Sequence, residues 1–252
     1  MPHISQKLGQ FSYFDTQLGQ PVWQGKHVLD FGGNVGNFLK ESAIDIEKYW
    51  CLDVSLEAIE KARREVPEAH WIWYDRYNIS FHPRGSKTAE IPELDQQFDY
   101  ILAYSVFTHI DVDEMKHSVE VLLSMLKPGG MLAFTFIDPH YRSWEKNGQS
   151  LQEKYSGNNF EWRLNRTSTP GGQVDIAMLL QKVQTARWFR LAGDRDVYLE
   201  DEPIPEPERY EGRQYHVFHT REFMQEQFPA AQILPPVNNE MQHCCILSRG
   251  SF

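Results

Sequence analysis

The chain reads as an α/β protein with a doubly wound, parallel sheet, and three observations carry that reading. Short apolar runs of strand length alternate with helix-length segments between residues 28 and 137, an order that sets parallel strands side by side with helices on both faces. The first run, Val28-Leu29-Asp30-Phe31, opens directly into Gly32-Gly33-Asn34-Val35-Gly36. Such a turn joins a strand to a helix and lets a ligand touch the backbone. The second run, 49–54, holds Asp53, 23 residues beyond Asp30, which is about one strand–helix–strand unit.

The elements follow in order. Residues 4–25 carry Phe11, Tyr13, Phe14 and Trp23 around Gly9, Gly19 and Pro21, a helix-and-loop lead-in that packs over the first strand. After the glycine turn, 38–46 reads as helix and 49–54 as the second strand. Ser55 caps the next helix, with Glu57 in its first turn, Arg63 and Arg64 in its last and Pro67 beyond. A third strand, 70–74, ends at Asp75, and 76–97, with Pro83, Gly85 and Pro92 and no period, reads as loop. The fourth strand, 98–104, runs into Ser105-Val106-Phe107-Thr108-His109-Ile110. Asp111 and Glu114 form a capping-box-like pair for a helix with Val112, Met115, Val119, Leu122, Leu123 and Leu126 on one face. Lys127-Pro128-Gly129-Gly130 breaks that helix, and 131–137 is the fifth strand.

Composition bounds the function. At 252 residues the chain holds one large domain or a domain with a sizeable insertion. A net charge of −10 disfavours a nucleic-acid substrate, because phosphate binding needs a basic surface. Cys51, Cys244 and Cys245 sit in apolar, strand-like segments, which favours a reduced, cytoplasmic setting. Neither an apolar leader nor a run of about 18 apolar residues stands in the sequence, so no membrane span is expected.

Two carboxylates suggest the ligand. Asp30, at the end of the first strand, would repel a pyrophosphate and suits a ligand that presents an ammonium group. Asp53, at the end of the second, has the spacing at which a carboxylate accepts hydrogen bonds from both ribose hydroxyls. Asp30-x-Gly32-x-Asn34-x-Gly36 resembles the Asp/Glu-x-Gly-x-Gly-x-Gly loop of class I S-adenosylmethionine-dependent methyltransferases. Asn34 stands where glycine is usual, and asparagine is the next best residue for a left-handed turn. The phrase 105–110 and the helix–Lys-Pro-Gly-Gly–strand unit resemble the same family.

The resemblance implies a Rossmann-like sheet of seven strands, mostly parallel with an antiparallel last strand, closed by a helix at 220–228 and strands at 231–234 and 243–247. It covers 1–140 and 216–252, leaving 141–215 as a cap or substrate-binding insertion after strand five. That insertion holds a helical run at 174–189, the aromatics Tyr141, Trp144, Trp162 and Trp188, and an acidic, proline-rich surface stretch at 200–208. The implied cofactor is S-adenosyl-L-methionine, held by Asp30, Gly32, Gly33, Asn34, Gly36, Asp53, Val54, Asp75 and Tyr104, with Asp75 meeting the adenine amino group. A small-molecule acceptor then calls for alignment and, for a hydroxyl or acidic carbon, a general base. His140 and His109 both follow strand ends on that edge; His140 ranks first because it opens the cap, and Tyr13 joins them from the lead-in that lids the cofactor in such enzymes. His216 and His219 lack accompanying ligands at metal spacing, so no metal site is expected. Two alternatives stand beside this reading. One is a catalytically silent methyltransferase-like subunit. The other is an NAD(P)-dependent oxidoreductase, whose Gly-x-Gly-x-x-Gly pattern fails at Asn34.

Overall fold

A computed structural model describes residues 9–142, 157–167, 175–193, 195–237 and 241–250. Seven strands form the main sheet: β1 (Val28–Phe31), β2 (Tyr49–Asp53), β3 (His70–Trp73), β4 (Phe98–Ala103), β5 (Leu126–Ile137), β9 (Gln232–Leu234) and β10 (Gln242–Ser248). Their spatial order is β3-β2-β1-β4-β5-β10-β9. The first five run parallel, and β10 lies antiparallel to both β5 and β9. The chain moves from β1 outward to β2 and β3, then returns to place β4 on the other side of β1. That reversal opens a crevice at the carboxyl ends of β1 and β4, where ligands of open α/β sheets bind.

Period-two alternation divides the apolar side chains between the two faces. Leu29 and Phe31 of β1 join Leu52, Ile101 and Phe134 in a core covered by α4 (Val112–Ser124) and α7 (Arg221–Gln227). Val28 joins Cys51, Leu102 and Ala133 on the opposite face, under α1 (Gln10–Gln17), α2 (Asn37–Glu41) and α3 (Leu56–Glu65). Tyr13, Phe14 and Trp23 of the lead-in are buried there, as the aromatic pattern predicts.

Several boundaries and caps differ from the sequence reading. α2 stops at Glu41, because the Ser42 hydroxyl donates to the Leu39 carbonyl and Ser42 itself is extended. β5 starts at Leu126, with Lys127-Pro128-Gly129-Gly130 as an irregularity opposite Phe98 and Tyr100. Gly129 takes φ +76° there, and a Cβ on Gly130 would lie 2.8 Å from the Phe98 carbonyl oxygen. Asp111 precedes α4 without a side-chain cap, and Glu114 pairs with Arg76 instead of closing a capping box.

The run read as helix over 174–189 is α6 (Ile176–Val183) followed by β6 (Trp188–Ala192), whose side chains are buried on both faces and so carry no strand alternation. β6 pairs with β7 (Asp196–Leu199) and β8 (Tyr215–His219) in a second, antiparallel sheet, which runs across the expected boundary at 216. With α5 (Asn159–Thr167) and α6 it encloses a core of its own, including Phe160, Leu179, Phe189 and Phe218. Trp144 and the Trp162 side chain lie outside the described residues.

Candidate active site

The glycine loop begins where β1 ends. Gly32 takes φ +76°, and a Cβ there would lie 2.3 Å from Cγ2 of Val106, so a side chain is excluded by both backbone and space. Asn34 takes φ +52°, the left-handed position its short polar side chain tolerates. Gly33 is needed for contact: its Cβ would sit 2.5 Å from the Asp30 carboxyl and 2.8 Å from Sγ of Cys51.

Asp53 holds this loop from the next strand. One carboxyl oxygen accepts from the Asn34 N–H at 2.8 Å and the other from the Ser55 N–H at 2.7 Å. Burial pushes its pKa up, and these backbone donors oppose the rise. A carboxylate has about four lone-pair sites, more than these backbone donors fill, which leaves capacity for a ligand's hydroxyl.

Above these residues lies a cavity of about 320 Å³ at the carboxyl ends of β1, β2 and β4. Gly32, Asn34, Asp53, Val54, Tyr104 and His109, six of the sequence-predicted residues, line it. The others do not, each for a visible reason. Alternation along β1 sends the Asp30 side chain to the opposite face, where it is buried and accepts a 2.6 Å hydrogen bond from the Tyr49 hydroxyl. Burial raises its pKa to about 7. The expected contact of Asp30 with an ammonium group is corrected accordingly: its carboxyl supports the loop from beneath. Gly33 and Gly36 face the packing below, where a Cβ on Gly36 would strike Trp71 at 2.5 Å. Asp75 turns outward to His82 Nε2 at 2.7 Å, away from the cavity. Tyr13 is fully buried, edge-on to Tyr104, and its hydroxyl donates to the Gln242 carbonyl at 2.8 Å, which makes it an anchor. His140 is exposed beyond β5, its N–H tied to the Asp138 carboxyl at 2.9 Å.

His109 is the histidine in the cavity wall. Its Nδ1 lies 2.6 Å from the Tyr215 carbonyl oxygen. A carbonyl only accepts, so Nδ1 carries the proton and Nε2 keeps its lone pair. Burial lowers the pKa to about 4, leaving the ring neutral at physiological pH. Phe81 stands edge-on to it at 5.0 Å, and the His216 ring lies 4.7 Å away. His219 is elsewhere, buried parallel to Phe223.

Several lining residues escaped the sequence reading. Arg76, Tyr77, Asn78 and Phe81 come from the stretch read as loop, which Asn78 shapes by accepting from the Ser80 and Phe81 N–H groups; the asparagine itself is a turn signal. Ser105 adopts φ +60° at the cavity wall. Its N–H donates to Thr135 Oγ1 at 2.7 Å, and that hydroxyl donates to Gln242 Oε1 at 2.6 Å. No sequence motif marks this relay, whose members are up to 137 residues apart.

Residues 29–132 match the family model described as a methyltransferase domain. Among solved structures, a protein of Pyrococcus horikoshii OT3 is 16% identical, with 94% of this chain and 88% of that one covered and a TM-score of 0.51. The glycopeptide N-methyltransferase MtfA, in complex with S-adenosyl-L-homocysteine, is 11% identical over 94% and 87% of the two chains, with a TM-score of 0.50. An S-adenosylmethionine-dependent methyltransferase from Clostridium acetobutylicum is 14% identical over 95% and 89%, with a TM-score of 0.49. Residues 29–132 therefore match a methyltransferase domain, set in the α/β fold that the chain shares with these solved structures.

Proposed function

We propose that this chain is an S-adenosylmethionine-dependent methyltransferase of a small-molecule acceptor, with His109 as the group that takes the acceptor's proton. The observation that carries the reading is the cavity over the β1–β4 crevice, which combines the glycine loop, the remaining lone pairs of Asp53 and the unprotonated Nε2 of His109 in one wall. The residues fit the cofactor: Gly32 and Asn34 bring the loop backbone to the cavity wall, and Asp53 suits a ribose. S-adenosylmethionine, when bound, supplies a methyl activated by a positive sulfur. The chain's own work is then alignment, exclusion of water and proton removal. The net charge of −10 supports an acceptor other than nucleic acid. The glycopeptide N-methyltransferase, which shares the fold, is named for an acceptor that is not a nucleic acid either.

Transfer of a labelled methyl from S-adenosylmethionine into the low-molecular-weight fraction of a cell extract tests this. Label is expected in that fraction, reduced about 10²-fold or more in His109→Ala and unchanged in His140→Ala. Because His109 is neutral down to about pH 4, no fall in rate from this group is expected between pH 8 and pH 5. Label confined to nucleic acid or protein, or equal turnover in both variants, contradicts the reading.

A further inference from the structure

Two carboxylates, Asp53 and Glu114, belong to residues lining the cavity. Asp53 stands at the glycine loop, with both oxygens already engaged by backbone N–H groups. Glu114 comes from α4, which also contributes Ser118 to the lining. Its Oε1 accepts from Nε of Arg76 at 2.8 Å. The same guanidinium donates through Nη1 to the carbonyls of Lys87 and Ala89, at 2.7 and 3.0 Å. Three hydrogen bonds thus fix Arg76, and Arg76 fixes Glu114 while leaving the lone pairs of Oε2 for a ligand. Two other side-chain acceptors nearby, Asn78 and Asp75, are committed. Asn78 spends Oδ1 on two backbone N–H groups and donates from Nδ2 to the His109 carbonyl. Asp75 belongs to His82 on the outside.

We propose that Glu114, held by Arg76, reads the nucleobase of the cofactor, accepting the exocyclic amino group of adenine on Oε2. The inference rests on the S-adenosylmethionine reading of the cavity and assigns its base-recognising residue. A 6-amino purine presents a donor to a carboxylate, whereas a 6-oxo purine presents an acceptor that the carboxylate repels. Buried polar groups left unpaired by the wrong partner are what make such discrimination large. The ion pair is neutral as a whole, which suits a flat base lying between Phe31, Leu52, Val54 and Ile110.

Calorimetric titration of S-adenosylhomocysteine and of S-inosylhomocysteine, its 6-oxo counterpart, into the wild type, Glu114→Gln and Asp75→Asn tests the assignment. The wild type is expected to prefer the adenine compound by about tenfold or more. Glu114→Gln should narrow the preference to within about threefold, because a carboxamide can turn to donate as well as accept. Asp75→Asn should keep the wild-type ratio. The ratio within one variant cancels any general weakening of the fold. Should Glu114→Gln bind neither compound, Glu114→Asp is expected to bind with a diminished ratio, and an undiminished one overturns the proposal. Equal affinities in the wild type, a full preference in Glu114→Gln, or its loss in Asp75→Asn also overturn it, with the cofactor reading intact. A wild type that binds neither compound overturns both.

Discussion

At the scale of single residues, the two aspartates at adjoining strand ends have been given different work by the alternation of the strands. Asp53 faces the cavity, and Asp30 faces Tyr49 and Gly33 beneath the loop. A carboxyl with a pKa near 7 binds a proton in the folded state that the unfolded chain, near 3.8, releases. Its contribution to stability is therefore present below about pH 4 and is lost as pH rises toward 7, by about 4 kcal/mol for about three units. Asp30→Asn keeps an acceptor for the Tyr49 hydroxyl and removes the titration. The variant's unfolding free energy, measured by denaturant between pH 4.5 and 7.5, should lose less with rising pH than that of the wild type. Parallel pH profiles would contradict the assignment of that titration to Asp30.

At the scale of elements, the site depends on how the loop after β4 is held. Ser105 at φ +60° is an uncommon conformation for a side-chain-bearing residue, and the Thr135 hydroxyl, fully buried on β5, holds it by linking its N–H to Gln242 on β10. Thr135→Val keeps the shape and leaves both partners unpaired, at a cost of about 1–3 kcal/mol. Chemical denaturation should register that loss, and calorimetry a weaker affinity for S-adenosylmethionine, with Thr135→Val/Ser105→Gly recovering part of the binding because glycine holds φ +60° unaided. Unchanged affinity in Thr135→Val would show that the relay does not shape the cavity. The strands and the glycine loop were legible in the sequence, since each depends on a local pattern of apolar and turn residues. The relay was not, because it joins β4, β5 and β10 through side chains with no common motif. Nor was the direction of Asp30, Asp75 and Glu114: a strand end or the first turn of a helix marks where a carboxylate stands, while pleat, His82 and Arg76 decide where it points.

At the scale of the whole molecule, a parallel core and an antiparallel insertion meet beside the cavity. Tyr215 of β8 fixes the His109 tautomer through its carbonyl and donates its hydroxyl to Asp111 at the head of α4. Arg190 of β6 reaches toward the same Asp111 while holding the Glu200 and Glu202 carbonyls. The second sheet thereby sets the proton state of the residue offered as base, a role that composition could not reveal and that its position at the carboxyl edge of the sheet explains. Among the described residues no helix is long and apolar enough to cross a membrane.

Cofactor binding turns on the cavity wall at Asp53, and calorimetric titration of S-adenosylmethionine into the wild type and Asp53→Ala tests it most directly. The wild type should bind, and Asp53→Ala should bind about 10- to 100-fold more weakly, as expected when ribose hydroxyls lose a buried acceptor. Equal affinity in the two proteins would contradict it.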